Sequence, residues 1–280
     1  MIYRSLMFTP GTQKDKLLKS ISSDADALIW DLEDAVHPNE KDRARITIHE
    51  ALEELQEKTN KPIFLRVNPY ESDWFRDDVV LARHPNITGV ILPKTETQSQ
   101  VRDTWDLMNQ KGELIVLIET ASGLKNLDDI FKDKNITGVA LGAIDFAVDL
   151  DLTLTDSGIE LVYARSRIVT YAKAANISGI YDTVFPDINN LESLKSRALL
   201  TRSLGFNGQL AIHPKQLEII HEVYSPSLSE IEWSKKVLHY AENEAKGSGV
   251  FTLEGKMIDR PVIERAKQIY DAALRYQVIS

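Results

Sequence analysis

The sequence predicts an α/β fold, a closed (β/α)8 TIM barrel with a C-terminal helical lid extension, and three observations carry that expectation. Eight apolar runs, rich in Val, Ile and Leu, recur between Ser5 and Ile212. They are nearly continuous rather than alternating, as strands covered on both faces should be. Polar segments with helical spacing separate them, and eight βα units joined by right-handed crossovers favour closure into a barrel over an open doubly wound sheet.

The runs begin at Ser5 (SLMF), Ala27 (ALIW), Ile63 (IFLRV), Gly89 (GVILP), Leu114 (LIVLIE), Gly138 (GVALG), Gly179 (GIYDTVF) and Gly208 (GQLAI). Helices are expected at Lys14 to Ser22, Asp42 to Lys58, Asp73 to Arg83, Ser99 to Gln110, Leu124 to Lys132, Gly158 to Ala175 and Leu191 to Leu204. In the second of these, Ile48, Leu52 and Leu55 fall three or four residues apart and share one face. After the eighth run, SPSLSE sets Ser227 or Ser229 three residues before Glu230 or Glu232, a helix start, with the helix running to Lys246 and broken by GSG. The tail places a turn and Asp259 before a final amphipathic helix. With no Pro-rich, Ser-rich or charged linker between them, residues 1–225 read as the barrel and 226–280 as an extension or lid of the same domain unit.

A chain of 280 residues with 43% hydrophobic and 27% charged residues has a globular balance. No apolar run reaches the ~20 residues that span a bilayer, and the N-terminal MIYRSLMFTPG lacks a signal-peptide layout, so the expectation is a cytoplasmic protein without a membrane partner. With 0 cysteines, disulfide frameworks, thiolate metal sites and cysteine nucleophiles are excluded. A net charge of -9, from 42 acids against 33 bases, supplies no basic field for nucleic acid. An anionic substrate must therefore meet local cations.

Candidate chemistry centres on Leu114 to Asp145, where LIVLIE and GVALGAID end on Glu119 and Asp145. At the carboxyl ends of neighbouring parallel strands, ~4.8 Å apart, two such acids can converge on one ion, where barrels place their active sites. Oxygen ligands suit a hard cation such as Mg²⁺. The alternative is that each acid caps the following helix. In DLEDAV, Asp31, Glu33 and Asp34 crowd three carboxylates into four residues, which raises carboxylate pKa values unless cations intervene. That cation could be a metal or a charged substrate, or Lys41, Arg43 and Arg45 in ordinary ion pairs.

Arg66 sits inside the apolar run FLRVN, where a guanidinium is costly unless it meets an anion. A substrate carboxylate or developing oxyanion is favoured, with Glu33 or Asp34 as the structural alternative; Lys94 in ILPK is a weaker case. His213 in AIHPKQ reads as a helix-entry residue rather than the general base. The turn Thr9-Pro10-Gly11 could offer backbone N–H groups to a phosphate or carboxylate, or simply mark a turn. P-loop, GxSxG, HExxH and dinucleotide-binding GxGxxG elements are not found.

Nine motifs, RSLMFTPG, DLEDAV with EKDRAR, LRVN, LPKTET, IETASG, LGAIDF, YDTVFPD, AIHPKQ and GKMIDRPVIERA, stand in this order along the chain. In them the chain resembles the citrate lyase beta subunit and its beta-like relatives, the malyl-CoA lyase type within the HpcH/HpaI aldolase superfamily, nearly end to end. The resemblance implies a Mg²⁺-dependent carbon–carbon lyase acting on a 3-hydroxyacyl thioester, such as citryl to oxaloacetate and an acetyl thioester, carried on coenzyme A or an acyl-carrier protein. It implies metal ligands at Glu119 and Asp145 and catalytic roles for Arg66, Glu33 and Asp34. Asp259 becomes an acid/base delivered into a neighbouring protomer's site, hence a homo-oligomer, a trimer or hexamer, with other citrate lyase subunits as further partners. The substrate would lie on Arg66, Glu119, Pro10 and Gly11, with its carrier near the first and last strands. Ile144 stands where citrate lyase beta chains tend to carry an acid, and Glu254 where several relatives carry another polar residue. These departures leave open a malyl-CoA or methylmalyl-CoA type lyase or malate synthase-like thioesterase on coenzyme A; the alternative of another class is a catalytically silent acyl-carrier-binding subunit, against which the retention of Glu119, Asp145 and Arg66 argues.

Overall fold

A computed structural model describes residues 2–55, 59–243 and 250–279, and in it eight parallel strands close into a barrel in sequence order. They are β1 (Ser5–Pro10), β2 (Ala27–Asp31), β3 (Ile63–Arg66), β4 (Gly89–Leu92), β5 (Glu113–Ile118), β6 (Ile136–Leu141), β7 (Gly179–Asp182) and β8 (Gly208–Ala211). Pairing of Leu6 with Leu210 across β1 and β8 makes the closure. All eight expected strands are present.

Strand parity decides what the barrel encloses. Alternate residues of a strand face the same side, and the interior cluster takes Leu6 from β1, Ala27 and Ile29 from β2, Phe64 from β3, Ile115 and Leu117 from β5, and Tyr181 and Leu210 from β7 and β8. Two residues further along the same rows lie Phe8, Asp31, Arg66, Glu119, Thr183 and Ile212, and all six line one cavity above that core. The polar residues at these strand ends are thus the next tier of an apolar stack. Opposite parity sends Leu28, Trp30 and Leu65 outward, all fully buried.

The connecting helices are α1 (Lys14–Ser20), α2 (Lys41–Glu54), α3 (Phe75–Leu81), α4 (Gln98–Leu107), α5 (Ala121–Lys125), α6 (Leu127–Ile130), α7 (Ala143–Asp149), α8 (Val162–Ala174), α9 (Leu191–Leu204) and α10 (Leu217–Tyr224). The expected end of α2 at Lys58 lies outside the described residues. The helix expected at Leu124 to Lys132 is instead two short ones that meet at Asn126, the first of them capped at its N-terminus by Thr120. A further correction concerns LGAID: β6 ends at Leu141, Gly142 N–H continues its ladder to Ile118 O, and Phe146 N–H already donates to Gly142 O. Asp145 is therefore carried on the first turn of α7, a helix the apolar run conceals, and not on a strand end.

Contacts divide the chain into two compact units, Met1–His221 and Glu222–Ser280. Within the second, α11 (Leu228–Asn243) starts on a reciprocal cap, Ser227 N–H donating to Glu230 and Glu230 N–H to Ser227 Oγ. Its expected end at Lys246 and the GSG break lie outside the described residues. The turn of the tail is a hairpin, β9 (Val250–Leu253) and β10 (Lys256–Asp259), followed by α12 (Arg260–Arg275). Val237, Ile258 and Ala266 form the unit's small core. Among the described residues no helix is long and apolar enough to cross a membrane.

Candidate active site at the carboxyl end of the barrel

Asp31 and Arg66 close their strands side by side in register. Arg66 donates from Nε to Asp31 Oδ1 and from Nη2 to Asp31 Oδ2, each at 2.7 Å, the bidentate geometry that suits guanidinium and carboxylate. The same two oxygens accept from Glu33 N–H and Ala35 N–H, both at 3.0 Å, so Asp31 turns the chain sharply after β2 while it holds the arginine. That turn brings Glu33 Oε2 to 2.8 Å and Asp34 Oδ2 to 3.1 Å from Arg66 Nη1. Phe8 closes one face of the guanidinium, with its ring centroid 4.6 Å from Cζ.

Both readings of Arg66 are therefore present: it is paired structurally and it lines the cavity. Its principal partner is Asp31, rather than the Glu33 or Asp34 that the sequence offers as the structural alternative. The signal for that pairing is parity, since Asp31 and Arg66 both continue inward-facing rows.

Glu119 follows β5 and is buried. Its Oε1 accepts from Lys94 N–H at 2.8 Å, while Oε2 approaches Gly142 so closely that any Cβ there would collide with it. Gly142 is thus required by the carboxylate. Lys94 presents its amide from φ +47, a left-handed conformation costly for a residue with a Cβ. Its Nζ lies 3.6 Å from Asp145 Oδ1. Asp145, with a side chain 37% exposed, sits at the cavity mouth. Thr183 Oγ1 accepts from Ala143 N–H and so anchors the start of α7 beneath it. Neither acid is a helix cap: Thr120 caps α5, and Asp145 lies inside α7.

Electrostatics in this corner oppose ionisation. Burial, with Glu33 and Asp145 adding to it against Lys94 N–H and Arg66, pushes Glu119 up to about 8. Burial also raises Glu33 to about 7, Arg66 working against it and Asp34 and Asp31 with it. For Lys94, burial disfavours the charge, but Glu33, Asp145, Glu119 and Asp34 outweigh it and raise the pKa above the usual lysine value.

A stability consequence follows for the metal-free protein. Below the ordinary carboxylate value of 4.5, Glu119 is protonated whether folded or unfolded. Between there and about 8 the unfolded chain ionises while the folded one does not, so stability falls as pH rises through this window. Denaturant midpoints of metal-free Glu119→Gln are expected to gain on those of the parent chain from about pH 5 to about pH 8. Parallel curves would contradict the shift.

An acid in that condition is suited to a cation. Among the described residues no group of three or more His, Cys, Asp or Glu side chains has the geometry to hold a metal ion. Four carboxylates, Asp31, Asp34, Glu119 and Asp145, border the cavity of about 600 Å³, and because Asp31 and Asp34 pair with Arg66, Glu119 and Asp145 are the two left for an ion. One or two protein carboxylates, with water and substrate oxygens completing the shell, is the pattern typical of Mg²⁺, so the residues present fit that ion.

Pro10 lines the cavity, but Gly11 is a correction. Its N–H donates to Asp31 O at 2.9 Å and is not offered to an anion; what the glycine provides is room, since a Cβ would meet that carbonyl at 2.6 Å. His213 accepts from Lys215 N–H and starts a short helical turn, as the helix-entry reading expects. Asp259 belongs to the second unit, where its carboxylate accepts from Val262 N–H and caps α12.

Fold and site together define a (β/α)8-barrel protein with a charged cavity at the strand carboxyl ends. A family model described as HpcH/HpaI aldolase/citrate lyase matches residues 4–214. The chain belongs to that family. It is 34% identical to citrate lyase subunit beta of Haemophilus influenzae, over 96% of each chain. To (3S)-malyl-CoA thioesterase of Cereibacter sphaeroides it is 32% identical over 95% of this chain and 93% of the other. Among solved structures, the CitE protein of Mycobacterium tuberculosis in complex with magnesium, acetoacetate and coenzyme A superposes with a TM-score of 0.81 at 26% identity, covering 99% of this chain and 98% of that one. The resemblance read from the nine motifs is thereby confirmed.

Proposed function

We propose that this lyase cleaves the carbon–carbon bond of a 3-hydroxyacyl thioester, with Mg²⁺ held by Glu119 and Asp145. The observation that carries the reading is the convergence of those two acids and Arg66 on one cavity. A citryl thioester would give oxaloacetate and an acetyl thioester. The relative crystallised with magnesium, acetoacetate and coenzyme A supports both the ion and the thioester carrier. When bound, the ion supplies Lewis acidity toward the oxygens of the hydroxy acid.

The chain's own residues account for the remaining steps. A carboxylate takes the hydroxyl proton, and the acidic turn offers Asp34, which borders the cavity, and Glu33, buried against Arg66. As the hydroxyl carbon becomes a carbonyl, the electron pair of the broken bond moves onto the thioester as an enolate. Arg66, held rigid by Asp31, Glu33 and Asp34, faces that charge as it develops. Phe8, Leu117, Leu141, Val184 and Leu210 wall the cavity with apolar surface that limits water. A proton returned to the enolate carbon completes the acetyl thioester.

Asp259 is the residue assigned to that return, from a neighbouring protomer of a homo-oligomer, a trimer or hexamer. Mixed oligomers of Glu119→Gln and Asp259→Asn chains, each inactive alone, are expected to regain activity in sites that draw an intact residue from each. Mixtures that stay inactive after subunit exchange would exclude delivery in trans.

The malyl-CoA thioesterase relative favours a second reading, a malyl or methylmalyl substrate on coenzyme A. Incubation with Mg²⁺ and a panel of citryl, malyl and methylmalyl thioesters, on coenzyme A and on acyl-carrier protein, with detection of released keto acid, separates these readings. Absence of turnover on every member would leave the silent carrier-binding module.

A further inference from the structure

The segment EKDRAR and the asparagine of LRVN have no part in the chemistry described so far, yet they meet directly beneath it. Lys41, the first residue of α2, is only 6% exposed. It meets two backbone carbonyls rather than a carboxylate, Leu32 O at 2.9 Å and Glu33 O at 2.7 Å. Its ammonium also lies 5.7 Å from the centroid of the Trp74 ring. Burying a charge against neutral carbonyls is costly.

The carbonyls it grips belong to the segment that carries Glu33 and Asp34 between β2 and α2. Asn68 grips the same place, donating from Nδ2 to Leu32 O at 2.9 Å. Asn68 is fixed in turn by Asp78, whose Oδ2 accepts its N–H and Nδ2–H, and Asp78 Oδ1 accepts from Arg45. The peptide groups of Glu33 are thus held on both sides, N–H by Asp31 and C=O by Lys41 together with Val36 N–H, while the side chain reaches Arg66.

We propose that Lys41 is a positioning residue of the active site: by clamping the carbonyls of Leu32 and Glu33 it fixes the acidic turn, so that Glu33 stays against Arg66 and the guanidinium keeps one orientation toward the substrate. Without the ammonium Leu32 O keeps only Asn68 Nδ2 and Glu33 O only Val36 N–H, so the one side chain that ties the two carbonyls together is gone, the turn loosens, and Arg66 keeps Asp31 but loses its restraint at Nη1. The hydrogen bond of Glu119 to Lys94 N–H and the helix turn that carries Asp145 do not depend on Lys41. The functional part of the claim rests on the role proposed for Arg66, whereas the positioning itself does not.

The test reads Arg66 directly, in ¹⁵N-arginine-labelled protein assigned with Arg66→Lys. In the parent chain the Arg66 guanidinium should show slow rotation about Cζ–Nε. In Lys41→Met that rotation should become fast, while Mg²⁺ binding measured by calorimetry changes less than about twofold. Turnover should fall about 10- to 100-fold in kcat, the range typical of residues that support a site from behind, with KM changed far less. The chain contains no cysteine, so Lys41→Cys can be alkylated at that position alone. Treatment with 2-bromoethylamine rebuilds a lysine-length ammonium and should restore both slow rotation and kcat. Lys41→Gln, which keeps an N–H donor without the charge, serves if the Met variant does not fold, and should give intermediate rotation. Unchanged Arg66 rotation in the folded variants overturns the proposal, whatever their activity. A parent chain inactive on every thioester refutes the proposed reaction instead, and the Arg66 signals still decide the positioning.

Discussion

Glu119→Gln is expected to remove turnover almost completely. The amide keeps the size of the side chain and its acceptor for Lys94 N–H, so the fold should persist. What it removes is the negative charge that would hold the ion, together with one of the two carboxylates available to it. A Lewis-acidic ion contributes several kcal/mol to such a transition state, and at about 1.4 kcal/mol per factor of ten the loss is roughly 10³-fold in kcat. Calorimetry should show loss of Mg²⁺ binding in parallel, and excess EDTA should reproduce the defect in the parent chain. Turnover that survives both treatments would sink the metal-centred mechanism.

Arg66→Lys is the second large effect, and it is informative because charge is conserved. A lysine cannot bridge both oxygens of Asp31 while also facing Glu33 and Asp34, since its ammonium is a point charge rather than a planar fork. The positive group therefore shifts, and stabilisation of the developing enolate weakens. Losing one such donor typically costs about 10²- to 10³-fold in kcat. Mg²⁺ binding without substrate should be retained. An Arg66→Lys enzyme with normal kcat would show that the arginine serves the fold alone.

The barrel was legible in the sequence because each strand is an apolar run with a turn at its end. Glu119 was legible for the same reason, as a charge that terminates such a run. Asp145 reads as a strand end in the sequence although it lies on a helix, since Gly142 and Ala143 prolong the apolar run past the point where the ladder stops and α7 begins. The hairpin β9–β10 is not legible in the sequence because its strands are only four residues each and half-exposed, too short for periodicity to distinguish them from a loop. Asp31 was hidden among three neighbouring acids, and only the inward parity of β2 and β3 separates it from Glu33 and Asp34 as the main partner of Arg66. Lys94 contributes through its backbone N–H from a left-handed φ, a contribution that side-chain chemistry could not announce.

Asp31 uses each carboxylate oxygen twice, once for the guanidinium and once for a backbone amide of the following turn. Any exchange at this position is consequently felt in two places, as a misdirected cation and as a loosened loop. Substrate preference in this scaffold should therefore be easier to redesign from the opposite rim, where Ile144, Val184 and Ile212 border the cavity without sharing that hinge of obligations.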